Sequence, residues 1–345
     1  MVYDFTFWEN ANLSLLSVFA VLWIFVLGAI FGSFLNVVVY RLPRGMPLAA
    51  SMSRCPKCAN PIAFRDNVPI LSWIRLRGRC RSCGQAISVR YPLVEATAGG
   101  LFLLLFFVEL LSGGANLPSR DPSRSGLSAL ISTTPWNLVG IYAYHCCLTY
   151  LLLGIALMEV DRRDVPLRFL AVAILIGIAG GAFHPVILVD LDSMANIPLK
   201  RAFLFLFPSM AGLACGVCLA IIYRAICRRR LDDSLFQQRA SAEAALIVTG
   251  AFLGSQAVIA VAGAALLLRV LAAGLQLIWS AMDRLPPSAY VAVAAMLQIL
   301  IWRLSPNIHT IVVLAVFAVA GIVTTIAVVK ARKPLRDDRP YERSE

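Results

Sequence analysis

Charge is scarce in this chain. Of its 345 residues, 14% are Asp, Glu, Lys or Arg and 59% are apolar. A soluble globular protein carries about 25% charged and about 45–50% apolar residues. The composition excludes a soluble domain, and equally a disordered chain, a collagen or a disulfide-rich secreted scaffold. Acids are the rarest charges, with 19 Asp+Glu against 31 Lys+Arg. Histidine occurs only three times. No HExxH, Ser-His-Asp grouping or phosphate-binding loop is present. A transporter would show broken helices or paired acids near the midplane, preferably in two repeated halves. No convincing repeat is visible, and the acids fall at the ends of apolar runs.

A membrane-crossing helix needs about 20 mostly apolar residues. Such runs lie near 14–40, 92–112, 136–158, 169–189, 202–226, 244–262, 263–282, 288–304 and 308–330. The expected fold is an all-α polytopic membrane protein with eight or nine transmembrane helices in a lipid bilayer. The stretch 244–282 is too long for one helix and contains Arg269, so its division is open. Asp4 and Glu9 ahead of the first run argue against a cleavable signal peptide, which would carry basic residues there.

The basic residues collect between the runs. Segment 41–91 holds ten Lys/Arg and a single acid, Asp66, and 159–168, 227–243 and the tail after Lys330 are also basic. The positive-inside rule places these segments in the cytoplasm and the N-terminus outside. Nucleic-acid binding is the rival reading of that charge. The loop has few stacking aromatics and no recognised motif, so no nucleic-acid partner is expected.

Cysteines punctuate the basic loop. Cys55-Pro-Lys-Cys58 and Cys80-Arg-Ser-Cys83 form a C-x2-C-x21-C-x2-C pattern. Two such knuckles suit a four-thiolate structural zinc site, with the neighbouring Lys and Arg favouring ionised thiols. A closed site of this kind can fold a short polar loop that has little core of its own. Cys146, Cys147, Cys215, Cys218 and Cys227 lie in or beside apolar runs and read as packing residues. Gly28 and Gly32 have the spacing of a close helix contact. His145 and His184 read as hydrogen-bonded packing residues.

Three motifs occur in order around the cysteine loop. Gly32-Ser-Phe-Leu-Asn36-Val-Val-Val-Tyr-Arg41-Leu-Pro43 closes the first run, Asn67-Val-Pro-Ile-Leu-Ser-Trp73 lies inside the loop, and Ile87-Ser-Val-Arg90-Tyr-Pro-Leu-Val-Glu95 opens the second run. With Gly250-Ala-Phe-Leu-Gly254-Ser-Gln-Ala-Val258 downstream, the chain resembles the type IV prepilin leader peptidase family in its bifunctional bacterial form, over about 14–280. The resemblance implies an aspartyl protease of the bacterial inner membrane. It would cut the short basic leader from prepilins or pseudopilins at the cytoplasmic face, and then methylate the new N-terminus with S-adenosylmethionine. It also implies a division into a first span (1–40), a methylation-associated cytoplasmic zinc loop (41–91), a second span and external loop (92–135), a peptidase-like core (136–282), additional helices (283–330) and a basic tail (331–345). Asn36, Arg41, Arg90 and Glu95 are the expected cofactor-site residues, with a role in holding the zinc loop as the alternative.

The peptidase motifs depart from the family. Its first Asp stands seven positions before a Pro, and here Pro166 points back to Glu159. Asp161 is a second candidate, turned elsewhere on a helix. The second Asp is expected at Ala242; the nearest acid is Glu243, one residue on, which a helix rotates by about 100°. The expectation is a divergent prepilin peptidase using Glu159 and Glu243, with an impaired methyltransferase or prepilin-binding scaffold as the alternative.

Overall fold

The computed structural model describes residues 15–48, 53–55, 57–118, 125–184, 198–227, 233–276 and 286–304. The expected span 308–330 and the basic tail lie outside the described residues. The described part is helical: α1 (Leu15–Arg41), α2 (Leu71–Arg75), α3 (Arg90–Leu105), α4 (Leu127–Thr133), α5 (Trp136–Val160), α6 (Leu167–Ala179), α7 (Pro198–Cys227), α8 (Asp233–Gln276) and α9 (Pro287–Leu300). A π-helical turn, Phe106–Leu111, prolongs α3. Among the described residues, five helices are long and apolar enough to cross a membrane, and α6 and α9 are shorter apolar helices. Phe19, Leu22 and Trp23 are exposed on α1, where an apolar solvent favours them.

Lipid gives helices little hydrophobic reason to associate, so close backbone approach at small residues matters. Gly28 and Gly32 on α1 meet α3, and a Cβ at either would come within 2.8 Å of backbone at Ala98, Gly99 or Glu95. The contact expected from their spacing is present. Gly212 and Gly216 on α7 repeat the device against α8, where a Cβ on Gly212 would fall 2.0 Å from the Gly250 carbonyl oxygen. The α7–α8 contact is the most extensive helix pairing, followed by α1–α3.

The open division of 244–282 is settled by Gly254, whose φ of 82° and ψ of 176° interrupt α8. This backbone region is essentially confined to glycine. Glu243, before the break, pairs with Arg224 of α7, while Arg269, after it, bonds the adjacent Tyr223. A straight helix would separate those two partners by about 39 Å. α8 therefore doubles back at Gly254. The break falls earlier than the expected 262/263 boundary because backbone conformation sets it, not the length of the apolar run.

Breaking a helix strands carbonyls, which need new donors where water is absent. Tyr144 of α5 shares its one hydroxyl proton between the Gly177 carbonyl at 2.6 Å and the Phe252 carbonyl at 3.1 Å. His184 Nε2–H donates to the Leu253 carbonyl at 2.7 Å. A second buried knot joins α3, α5 and α9: Glu109 Oε1 is 2.6 Å from His145 Nδ1 and 3.3 Å from Asn116 Nδ2, which also donates to the Ile299 carbonyl. Both histidines thus have the packing roles expected of them.

Candidate functional site

The cysteine loop is built from two like-folded knuckles. In the first, the Ala59 N–H donates to the Cys55 carbonyl at 2.9 Å and the Cys55 N–H to that of Asn60 at 3.0 Å. In the second, Gly84 and Cys80 do the same at 2.9 and 2.8 Å, with Gln85 in the place of Asn60. The fifth residue of each knuckle is left-handed, Ala59 at φ 55° and Gly84 at φ 68°. The sulfurs of Cys55, Cys58, Cys80 and Cys83 lie within 4.8 Å of one another, and Cys55 and Cys83 Sγ are 3.8 Å apart. Tetrahedral zinc with Zn–S near 2.3 Å requires sulfurs about 3.8 Å apart, so the donor set and its spacing fit such an ion. The electrostatics agree. Backbone N–H groups of Cys58 and Lys57 pull the Cys55 thiol down. The Cys83 thiol is pushed up, because burial and three neighbouring cysteines outweigh the favourable Gln85 N–H. A bound cation would let all four sulfurs ionise at this close spacing.

Around the knuckles, Asp66 accepts from Arg81 through both carboxylate oxygens at 2.7 Å and from Arg75 at 2.9 Å. Hydrogen bonds and charge from Arg81, then Arg75, hold its carboxyl down at about 2. Trp73 packs on Gly78 and donates its indole N–H to the Ile87 carbonyl at 3.0 Å.

The expected cofactor-site residues form the junction between this loop and the helices. Glu95 Oε2 accepts the Ile70 N–H at 2.7 Å, holding a residue with φ 62°. Asn36 Nδ2 donates to the Tyr91 carbonyl at 3.4 Å. Arg41 donates to the Leu48 carbonyl at 3.1 Å. Arg90 forms a two-armed ion pair with Asp161, one arm at 2.9 Å. Asp161, expected to turn away from Glu159, is thus tied to the start of α3. Each of the four therefore helps to hold the cysteine loop against the helix ends.

Glu159 and Glu243 lie at the same end of the bundle as this junction. Glu159 ends α5 and is buried, 4% exposed. Its Oε2 accepts the Ser288 N–H at 3.0 Å and also the Ser288 hydroxyl. Its Oε1 is buried with no hydrogen-bond partner. The Arg269 guanidinium is near enough to act on its charge. Glu243 is also buried and takes both arms of Arg224, Oε1 from Nε at 3.0 Å and Oε2 from Nη2 at 2.5 Å. Each carboxyl thus has its own partner, Ser288 for Glu159 and Arg224 for Glu243. Ala242, where the family's second Asp is expected, is buried at 2% exposure. Sequence reasoning missed Ser288, Arg224, Tyr223 and Arg269. Arg269 alone gave a signal, as a charge inside an apolar run.

Residues 26–108 match the family model described as Bacterial Peptidase A24 N-terminal domain. The prepilin leader peptidase/N-methyltransferase of Myxococcus xanthus (strain DK1622) is 54% identical over 79 residues, covering 23% of this chain and 24% of that protein. That of Klebsiella pneumoniae is 48% identical over 120 residues, 30% of this chain and 53% of that protein. That of Neisseria gonorrhoeae is 44% identical over 119 residues, 28% of this chain and 42% of that protein. The chain thus matches between 24% and 53% of these relatives' length. No solved structure matches it. Over residues 26–108, which include the four-cysteine loop and its helical junction, the chain matches the N-terminal domain model of bacterial A24 peptidases and is similar to proteins named prepilin leader peptidase/N-methyltransferase.

Proposed function

We propose that this protein is a prepilin leader peptidase of the bacterial inner membrane. It removes leader peptides from type IV prepilins or pseudopilins at the cytoplasmic face, on the same side as the cysteine loop. The reading rests on the high identity across the N-terminal domain of proteins bearing that name. It is supported by the buried Glu159 carboxyl at the loop end of the bundle, with one oxygen held and the other bare.

In this reading Glu159 is the base. A water attacks the scissile carbonyl carbon, its proton passes to Glu159 Oε1, and the same proton then reaches the departing amine. Glu243 supplies the second carboxyl. It must leave Arg224 and take up a proton before it can donate to the carbonyl oxygen, as in carboxyl pairs that share a proton. Asp161 acts from the margin, keeping the end of α5 joined to the loop through Arg90. The four cysteines would hold a structural zinc, which supplies no chemistry to cleavage and fixes the fold of the loop.

N-methylation of the new terminus belongs to the same proposal on the strength of the relatives' names. It would take S-adenosylmethionine as methyl donor, with Asn36, Arg41, Arg90 and Glu95 at the loop junction as its candidate residues. The test is incubation of the purified full chain with a prepilin, followed by intact-mass analysis. A product shortened by its leader is expected from the wild type and is expected to be absent with Glu159→Gln. An additional methyl mass only when S-adenosylmethionine is added would establish the second activity. Undiminished cleavage by Glu159→Gln and Glu243→Gln together would remove both residues from the mechanism.

A further inference from the structure

We propose that Ser288 is the positioning residue of Glu159, which makes α9 part of the candidate site. This rests on Glu159 being the working carboxyl. α9 begins with Pro286 as its cap and Pro287 as its first residue. Proline has no N–H, so the first free amide at this helix terminus is that of Ser288. Helix N-terminal amides have no partner within the helix and carry a partial positive charge. Here the amide points at Glu159 Oε2 at 3.0 Å, and the hydroxyl of the same residue donates to the same oxygen.

Two donors on one oxygen fix both the place and the rotation of the carboxyl. The unheld oxygen, Oε1, is left with one direction to face. Ser288 is fully buried at 0% exposure and spends both its amide and its hydroxyl on Glu159, so it acts through that carboxyl. The arrangement also addresses the difference between Glu and the family's Asp. The longer side chain reaches about 1 Å further and has one more rotatable bond. A misplacement of that size can cost about 100-fold in rate. A donor pair rooted in a separate helix removes the added freedom.

The test uses the full chain in lipid nanodiscs with a purified prepilin, comparing wild type, Glu159→Gln, Ser288→Ala and Ser288→Thr. Threonine keeps the hydroxyl and the amide; alanine keeps only the amide. Ser288→Ala is expected to lower kcat by about 10- to 100-fold while KM stays within about 2-fold. Ser288→Thr is expected to restore most of the loss. Infrared difference spectra need no substrate. Carboxyl bands missing in Glu159→Gln are assigned to Glu159, and they should move in Ser288→Ala and stay in place in Ser288→Thr. Unmoved bands, or an unchanged kcat in Ser288→Ala, would overturn the assignment. An equal fall in both Ser288 variants, accompanied by lower thermal stability, would reduce Ser288 to a structural part. Full cleavage by Glu159→Gln would instead defeat the reading of Glu159, and the positioning role with it.

Discussion

Glu243 and Arg269 stand far apart along α8 and yet meet consecutive residues of α7, Arg224 and Tyr223. The relationship holds only while the chain reverses at Gly254. Glycine alone adopts that backbone shape without strain, so Gly254→Ala should destabilise the protein by about 1–3 kcal/mol. The added methyl would also press on His184, whose Nε2 lies 3.1 Å from a Cβ at that position. A thermal-unfolding midpoint in detergent below that of the wild type is the expected result. An unchanged midpoint would argue against the reversal.

The pairing of α7 with α8 depends on bare backbone. Gly216→Leu would drive a side chain into Leu246 and Ile247, where even a Cβ would lie 2.7 Å from the Leu246 carbonyl oxygen. Overpacking of this kind costs about 1–3 kcal/mol, with larger losses where backbone is struck. The variant is expected to lose heat resistance and to become sensitive to proteolysis between the two helices, as read on a gel.

The two cysteine knuckles carry different residues at their left-handed fifth position. Ala59 holds the left-handed conformation that Gly84 holds in the other. A left-handed residue with a side chain costs about 1–2 kcal/mol. Ala59→Gly should therefore tighten the metal-loaded loop by about 1 kcal/mol, slowing transfer of zinc to a chelator by about 5-fold. Atomic emission should find one zinc per chain, and Cys80→Ser should lower that number sharply.

Asp66 is the only acid in the loop, and its carboxyl is held at about 2 against an ordinary 3.8. The native state thus binds its proton less readily than the unfolded chain does. The contribution is complete above the ordinary value and is lost as pH falls through about 2. Asp66→Asn should increase hydrogen exchange across 64–88 at pH 6. The gap between variant and wild type should narrow below pH 4 and close near pH 2. Protonation of the cysteines acts on both proteins alike, so comparing them at each pH isolates Asp66.

Removing His145 would leave Glu109 as a bare buried carboxyl with only Asn116 beside it. His145→Leu should therefore destabilise by about 1–3 kcal/mol, the cost of leaving a buried polar group without its hydrogen-bond partner. The double variant His145→Leu with Glu109→Leu should recover much of that loss in thermal unfolding.

Local pattern was legible in the sequence. Apolar length marked the helices, the CxxC spacing marked the four converging sulfurs, and the Gly28–Gly32 interval marked a close helix contact. The register of Pro166 also singled out Glu159, which is buried at the loop end. Gly254 was readable only as a small residue in an apolar run, because a positive φ leaves no trace in composition. The partner of Glu159 lies on a different helix, and no spacing rule joins Glu159 to Ser288. Glu243 invited pairing with Glu159 because it is the acid nearest Ala242, where the family's second Asp is expected. Its nearest opposite charge is Arg224 on the facing helix, a contact created by the fold alone.

The hydrogen bonds from Ser288 to Glu159 bear on protein engineering. A chimaera that kept α5 of this chain and took its last helices from a relative without a hydroxyl at the place of Ser288 would lose one of the two donors. It would carry an under-satisfied acid in a lipid-facing bundle, at risk of misassembly before any question of turnover arose. Grafts should therefore exchange α5 and α9 together, as one inherited unit.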